Sequence, residues 1–120
     1  MKYLLMIYMN DDVFESLSED ERNAVFAGHD AFAPQIRESG EFIGTAALTN
    51  PTQSKTVRVR DGVTSATDGP YIETKEYLAG YYAVDCDSMD RAIELAAMIP
   101  DAALTAIEVR PVMDDSGLEL

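Results

Sequence analysis

A chain of 120 residues falls in the size range of one domain, and its 47% apolar residues supply a core without help from metals or disulfides. The single cysteine, Cys86, has no partner within the chain, and no Cys/His cluster offers the convergent ligands of a structural zinc. A formal net charge of -13 repels phosphate backbones at long range and argues against nucleic acid as a partner, whereas dispersed surface carboxylates need only solubility to explain them.

The opening MKYLLMIYM has a charge and an apolar run, but Asn10, Asp11 and Asp12 follow where a signal peptide would place small residues. It reads instead as a strand. Both alternating sets are apolar, Tyr3, Leu5, Ile7, Met9 on one and Leu4, Met6, Tyr8 on the other, so the strand needs cover on two faces. No apolar stretch approaches the roughly 20 residues that span a bilayer, and the expected location is cytoplasmic.

Ser18 with Glu21 three residues on predicts a capping box, with Glu19 and Asp20 at the positive end of the helix dipole. Val25, His29, Phe32 and Ile36 then form one stripe toward the sheet, and His29 lies on it. Pro34 predicts a kink or a break, and Gly40 a stop in positive φ. Phe42 to Leu48 reads as a second strand, broken by Asn50-Pro51. Thr56 to Arg60 and Val63 to Ala66, joined by Asp61-Gly62, predict a hairpin with one exposed side. On it Thr56, Arg58 and Arg60 share one face and Val57 and Val59 the other.

Tyr77 to Cys86 is a further strand apolar on both alternating sets. Asp87 or Ser88 caps a helix whose buried side is marked by Ile93, Ala96 and Ala97, ending near Ile99 or Pro100, before a last strand from Ala106 to Met113. The order βαβ, hairpin, βαβ predicts an α+β, ferredoxin-like domain over residues 1–113, with an antiparallel sheet, helices on one face and an acidic tail at 114–120. With helices enough for one face, the other predicts pairing with a second subunit.

Phosphate loops, cysteine pairs, nucleophile elbows and a second histidine are missing from the sequence. What remains is His29, the one side chain titrating near neutrality, on a face expected to be buried. It fits either proton transfer tuned by its neighbours or a core imidazole satisfied by ordinary hydrogen bonds. Thr67-Asp68-Gly69-Pro70-Tyr71 is the second distinctive segment. A glycine with free φ and a proline with fixed φ present the Asp68 carboxylate rigidly, although a plain turn uses the same residues.

The segments KYLLMIY, GHDAFA, TVRVRDG, TDGPYIETKEYLAGYYAVD, AIELAAMIP and AIEVRPV together resemble the YCII-related family, in particular its DGPF branch, from Lys2 to about Met113. Tyr71 stands where that branch has phenylalanine. The resemblance implies a dimeric α/β barrel in which two ferredoxin-like sheets pack face to face. It also implies similarity to small enzymes thought to use a His-Asp pair, among them a dehydrochlorinase of a substituted hydroquinone. By that analogy His29 transfers the proton and Asp68 is its candidate partner. Glu38 is a rival, but nine helical steps of roughly 100° turn it to the far side of an ideal helix.

Two readings stay open. In the first, the chain is a cofactor-independent acid-base enzyme of lyase, isomerase or hydrolase type, without a metal. Here His29 and Asp68 act on a phenolic or carbonyl compound, and Tyr71, Tyr81 and Arg110 line the substrate pocket. In the second, the chain is a non-catalytic homodimer that binds a small ligand or a regulatory protein such as a sigma factor. Members of the DGPF branch are thought to occur beside extracytoplasmic-function sigma factors.

Overall fold

The computed structural model describes residues 1–118. A four-stranded sheet is built from β1 (Lys2–Met9), β2 (Phe42–Ala47), β5 (Tyr77–Asp85) and β6 (Ala106–Pro111), in the order β2-β5-β1-β6. Every neighbouring pair is antiparallel. The strands β3 (Lys55–Arg60) and β4 (Val63–Asp68) form a separate two-stranded sheet. The helices are α1 (Asp11–Ser16), α2 (Glu19–Glu38) and α3 (Met89–Ala97), and a 3-10 turn follows at Pro100–Ala103.

Local chemistry accounts for the ends of these elements. Both halves of the capping box form at Ser18 and Glu21, and Gly40 closes α2 at φ +81°. The short α1 was not anticipated from the sequence. The side chain of Asn10 caps it, accepting from the Val13 N–H at 2.8 Å. Of the kink or break expected at Pro34, the break does not occur, since α2 is one helix from Glu19 to Glu38. Proline removes one backbone hydrogen bond, but the capping box before it and the buried Phe32 and Ile36 on either side keep the helix in place.

Tyr3, Leu5 and Ile7 of β1 and Tyr82 and Val84 of β5 meet Phe32 and Ile36 of α2 and Ala92 and Leu95 of α3 in one core. The buried side of α3 is therefore shifted from the expected one, and Ile93 is exposed. Ser88 is the cap, and starting the count there brings Ala92 and Leu95 onto the sheet. Arg91 ties α3 to the start of β2 through two hydrogen bonds of 2.9 Å to Glu41, which hold that carboxyl below its ordinary range.

The opposite sheet face carries Leu4, Met6 and Tyr8 beside Tyr81 and Ala83, and among the described residues no helix covers it. On this face Tyr8, Met6 and Leu4 are only half-buried. Among the described residues the β3–β4 hairpin pairs with no strand of the main sheet, and all of β4 is exposed. The radius of gyration is 16.3 Å, against about 14 Å for a compact chain of this length, because the hairpin extends from the body as an arm. Lys2 Nζ donates to Asp115 at 2.8 Å, so the early part of the expected tail lies against β1, and Glu119 and Leu120 lie outside the described residues. Among the described residues no helix is long and apolar enough to cross a membrane.

Candidate functional site

The apolar stripe of α2 divides into two halves. Phe32 and Ile36 pack tightly, whereas Val25 and His29 are half-buried over the part of the sheet where Thr45, Ala47 and Gly80 present little bulk. A cavity of about 900 Å³ results, with β1, β2 and β5 below and α1 and α2 above. Its walls are mainly apolar, including Ile7, Met9, Phe14, Phe26 and Leu104. Gly80 is required in the floor, since a Cβ there would come within 2.6 Å of the Ala46 carbonyl oxygen.

His29 stands at the inner end of this cavity with both ring nitrogens engaged. Nε2 lies 2.6 Å from Asp101 Oδ1, and Nδ1 lies 2.7 Å from the Tyr82 hydroxyl. An ionised carboxyl only accepts, so Nε2–H donates to Asp101 and a neutral imidazole then accepts the Tyr82 O–H at Nδ1. The His29 and Tyr82 rings are nearly parallel at 13°, and Phe32 meets Tyr82 edge-on at 5.0 Å. Tyr82 is 4% exposed, whereas the His29 side chain keeps 25% of its surface open to the cavity.

Three elements converge here for identifiable reasons. Pro100 opens the 3-10 turn with its φ already set, and Asp101 follows it at the first free position. The Asp101 carbonyl accepts from the Leu104 and Thr105 N–H groups, which fixes the turn behind the carboxyl. Gly28 then lets this turn reach α2, since a Cβ at that position would stand 2.4 Å from Pro100 Cγ. Burial, followed by the charges of Asp101 and Asp30, pushes the Tyr82 phenol above its ordinary value.

α1, which contributes Asp11, Phe14 and Glu15 to the lining, is fastened from two sides. Arg22 of α2 donates to the Phe14 carbonyl at 3.2 Å and lies 4.8 Å from the Phe14 ring centroid. Tyr77 of β5 donates to Asp11 of α1 at 2.8 Å, and burial together with that carboxylate pushes its ionisation up to about 12.

Of the five residues singled out from the sequence, only His29 reaches this cavity. The carboxyl on His29 belongs to Asp101, which corrects the expected pairing with Asp68. Asp68 ends β4 with its side chain 86% exposed and receives Lys55 Nζ, because the hairpin carries it away from the sheet. Glu38 is exposed in the last turn of α2. Tyr71 lies near the root of the arm under the Arg58 guanidinium. Tyr81 is opposite Met6 on the uncovered sheet face, and Arg110 is exposed on β6, where it pairs with Glu108.

A family model described as the YCII-related domain matches residues 1–115. The chain belongs to the YCII-related family. An uncharacterized protein of Rhizobium meliloti (strain 1021) is similar to it, with 33% identity over 114 residues that cover 93% of this chain and 92% of the relative. In this YCII-related chain the residues missed by sequence reasoning are Asp101 and Tyr82. Tyr82 carried a usable signal, since a tyrosine on the buried side of a strand needs a partner for its hydroxyl. Asp101 carried none, since nothing local to Ile99-Pro100-Asp101 shows that the turn folds back onto α2.

Proposed function

We propose that the chain is an acid-base enzyme in which Asp101, His29 and Tyr82 form a proton relay at the end of an apolar cavity. The observation that carries this reading is the bonding of the imidazole. Asp101 holds one nitrogen and Tyr82 the other, so Tyr82 is to His29 what the nucleophile is to the base in a serine triad. A raised phenol ionisation opposes a free tyrosinate. Passing the Tyr82 proton to Nδ1 makes an imidazolium against Asp101 and leaves the phenolate beside that cation, so no isolated charge is buried. The phenolate then accepts a proton from substrate, and the return transfer delivers one.

The cavity volume and apolar walls suit a small molecule of one or two rings, and a phenolic or carbonyl oxygen is the group that Tyr82 and His29 recognise. The chemistry is of lyase, isomerase or hydrolase type and requires no cofactor. The Asp68-Gly69-Pro70-Tyr71 segment, with Gly69 at φ +97°, supports placement in the DGPF branch. The uncovered sheet face supports a ferredoxin-like domain that pairs with its copy as a dimeric α/β barrel.

A second reading is a non-catalytic dimer that binds a small ligand or a regulatory protein. The same bonds favour it, because a histidine satisfied on both nitrogens is stable without chemistry. The two readings separate when the protein is incubated in D2O with a panel of substituted hydroquinones, phenols and β-dicarbonyl compounds. Turnover, or deuterium exchange into substrate, is expected for the wild type. Tyr82→Phe and His29→Gln are each expected to lose about 10²–10⁴ of that rate with the fold intact by circular dichroism. Undiminished rates in both variants would refute the relay, and binding without exchange in any form would establish the non-catalytic module.

A further inference from the structure

Among the described residues one buried side-chain polar atom has no hydrogen-bond partner, Arg22 Nε, and it belongs to the wall of the His29 cavity. The Arg22 guanidinium donates through Nη2 to the carbonyls of Phe14 at 3.2 Å and Glu15 at 3.5 Å, and it lies over the Phe14 ring. Neutral carbonyls and a ring face fix a cation in place without cancelling its charge. Among the described residues its Nη1 donates no hydrogen bond, and no carboxylate pairs with it. A half-buried arginine left short of acceptors is costly.

The surroundings say what would complete it. Arg22 is the only lysine or arginine in the cavity wall, which also holds Asp11, Glu15, Asp30 and Asp101. Asp101 is engaged by His29, and Asp11 by Tyr77 and Asn50. Glu15 and Asp30 are exposed, where water and salt screen them. Arg22 and His29 stand seven residues apart on α2, which is about 10.5 Å along the axis and within about 20° of one line. The cation and the imidazole therefore share one helix face above one cavity, separated by room for a single ring with a short chain.

We propose that Arg22 is the specificity-determining residue of this cavity and binds the carboxylate of a ligand whose phenolic or carbonyl oxygen lies at Tyr82 and His29. The ligand class narrows to a one-ring hydroxyaryl or keto acid. Its carboxylate supplies the counter-charge that the chain withholds, and the clamp on Phe14 holds the guanidinium ready, so little side-chain freedom is lost on binding. A net charge of -13 repels anions at long range, so the preference arises in this contact and not in steering. The inference rests on the reading of the cavity as a site for a phenolic or carbonyl compound.

Three compounds alike in ring and chain length isolate the charge: 3-(4-hydroxyphenyl)propionate, its primary amide, and tyramine, each titrated calorimetrically into the full-length protein. The acid is expected to bind about tenfold more tightly than the amide, with tyramine weakest. Arg22→Gln is expected to abolish the preference for acid over amide, and Arg22→Lys to keep part of it. Since Arg22 also fastens α1, the amide is the control: a loosened α1 weakens acid and amide alike, whereas a lost anchor weakens the acid alone. The wild-type comparison stands whether or not a variant folds. Tyr82→Phe is expected to preserve the acid-to-amide ratio, so the anchor and the relay are read apart. Equal affinity of the wild type for acid and amide, tighter binding of tyramine, or parallel weakening of acid and amide in Arg22→Gln would each overturn the inference and leave the relay standing. Failure of all three compounds to bind at millimolar concentration would overturn it together with the reading of the cavity on which it rests.

Discussion

Asp101 and Tyr82 grip opposite nitrogens of one imidazole, and the grip depends on an atom that is not there. Gly28 leaves room for the Pro100 ring, so the turn that carries Asp101 can lie against α2. Gly28→Ala would drive a Cβ into a rigid ring, and the turn must retreat. The expected cost is about 1–3 kcal/mol of stability, accompanied by a longer His29–Asp101 contact. Chemical denaturation and the ring 15N resonances of His29 read these two effects separately, and unchanged resonances would show that Gly28 does not set the pair. At this scale His29 was legible, because a lone histidine on an apolar stripe is unusual. The identity of its partner was not. Asp68 was made conspicuous by its Gly-Pro context, yet that context shapes a turn at the base of an arm, while the bonded carboxyl lies 72 positions away from His29.

Element boundaries followed local rules where a serine side chain caps the backbone, as at Ser18 and Ser88, or a glycine takes positive φ, as at Gly40. They departed from those rules where tertiary packing intervenes. Pro34 is exposed on α2, and its ring contributes no packing that would explain its place in the helix. Pro34→Ala supplies an N–H for the Asp30 carbonyl and relieves the clash with it, which outweighs the freedom gained by the unfolded chain. A net stabilisation of about 1–2 kcal/mol is expected from urea unfolding. A loss of stability would mean that the proline holds α2 in a bend that its packing needs. The hairpin was legible from Asp61-Gly62, with both residues at positive φ, but the side that faces water was not. Strand alternation defines two faces and leaves open which one the rest of the chain will cover.

The whole molecule is an α-helical layer on one side of a four-stranded sheet, and that layering was written in the doubly apolar β1 and β5. The second side has no helix over it among the described residues, and its cover by a second copy is the pairing proposed above. Met6, on a central strand of the uncovered face, pairs across with Tyr81 and Glu108. Met6→Lys would place an ammonium in the middle of the proposed sheet-to-sheet contact, where desolvation without a partner is costly. If the proposed dimer forms, its dissociation to a folded monomer is the expected result by sedimentation and circular dichroism. Persistence of the dimer would move the interface off this face.

The fastening of Tyr77 to Asp11 holds α1 beside the cavity across a wide range of pH. A phenol whose ionisation is raised from 10 to about 12 favours the folded state at every pH below 10, and that contribution fades only as the solution climbs toward 12. Alkalinity of ordinary strength therefore leaves this clasp closed. Between pH 7 and 9, therefore, the tyrosine that ties the six-residue α1 to β5 does not change charge.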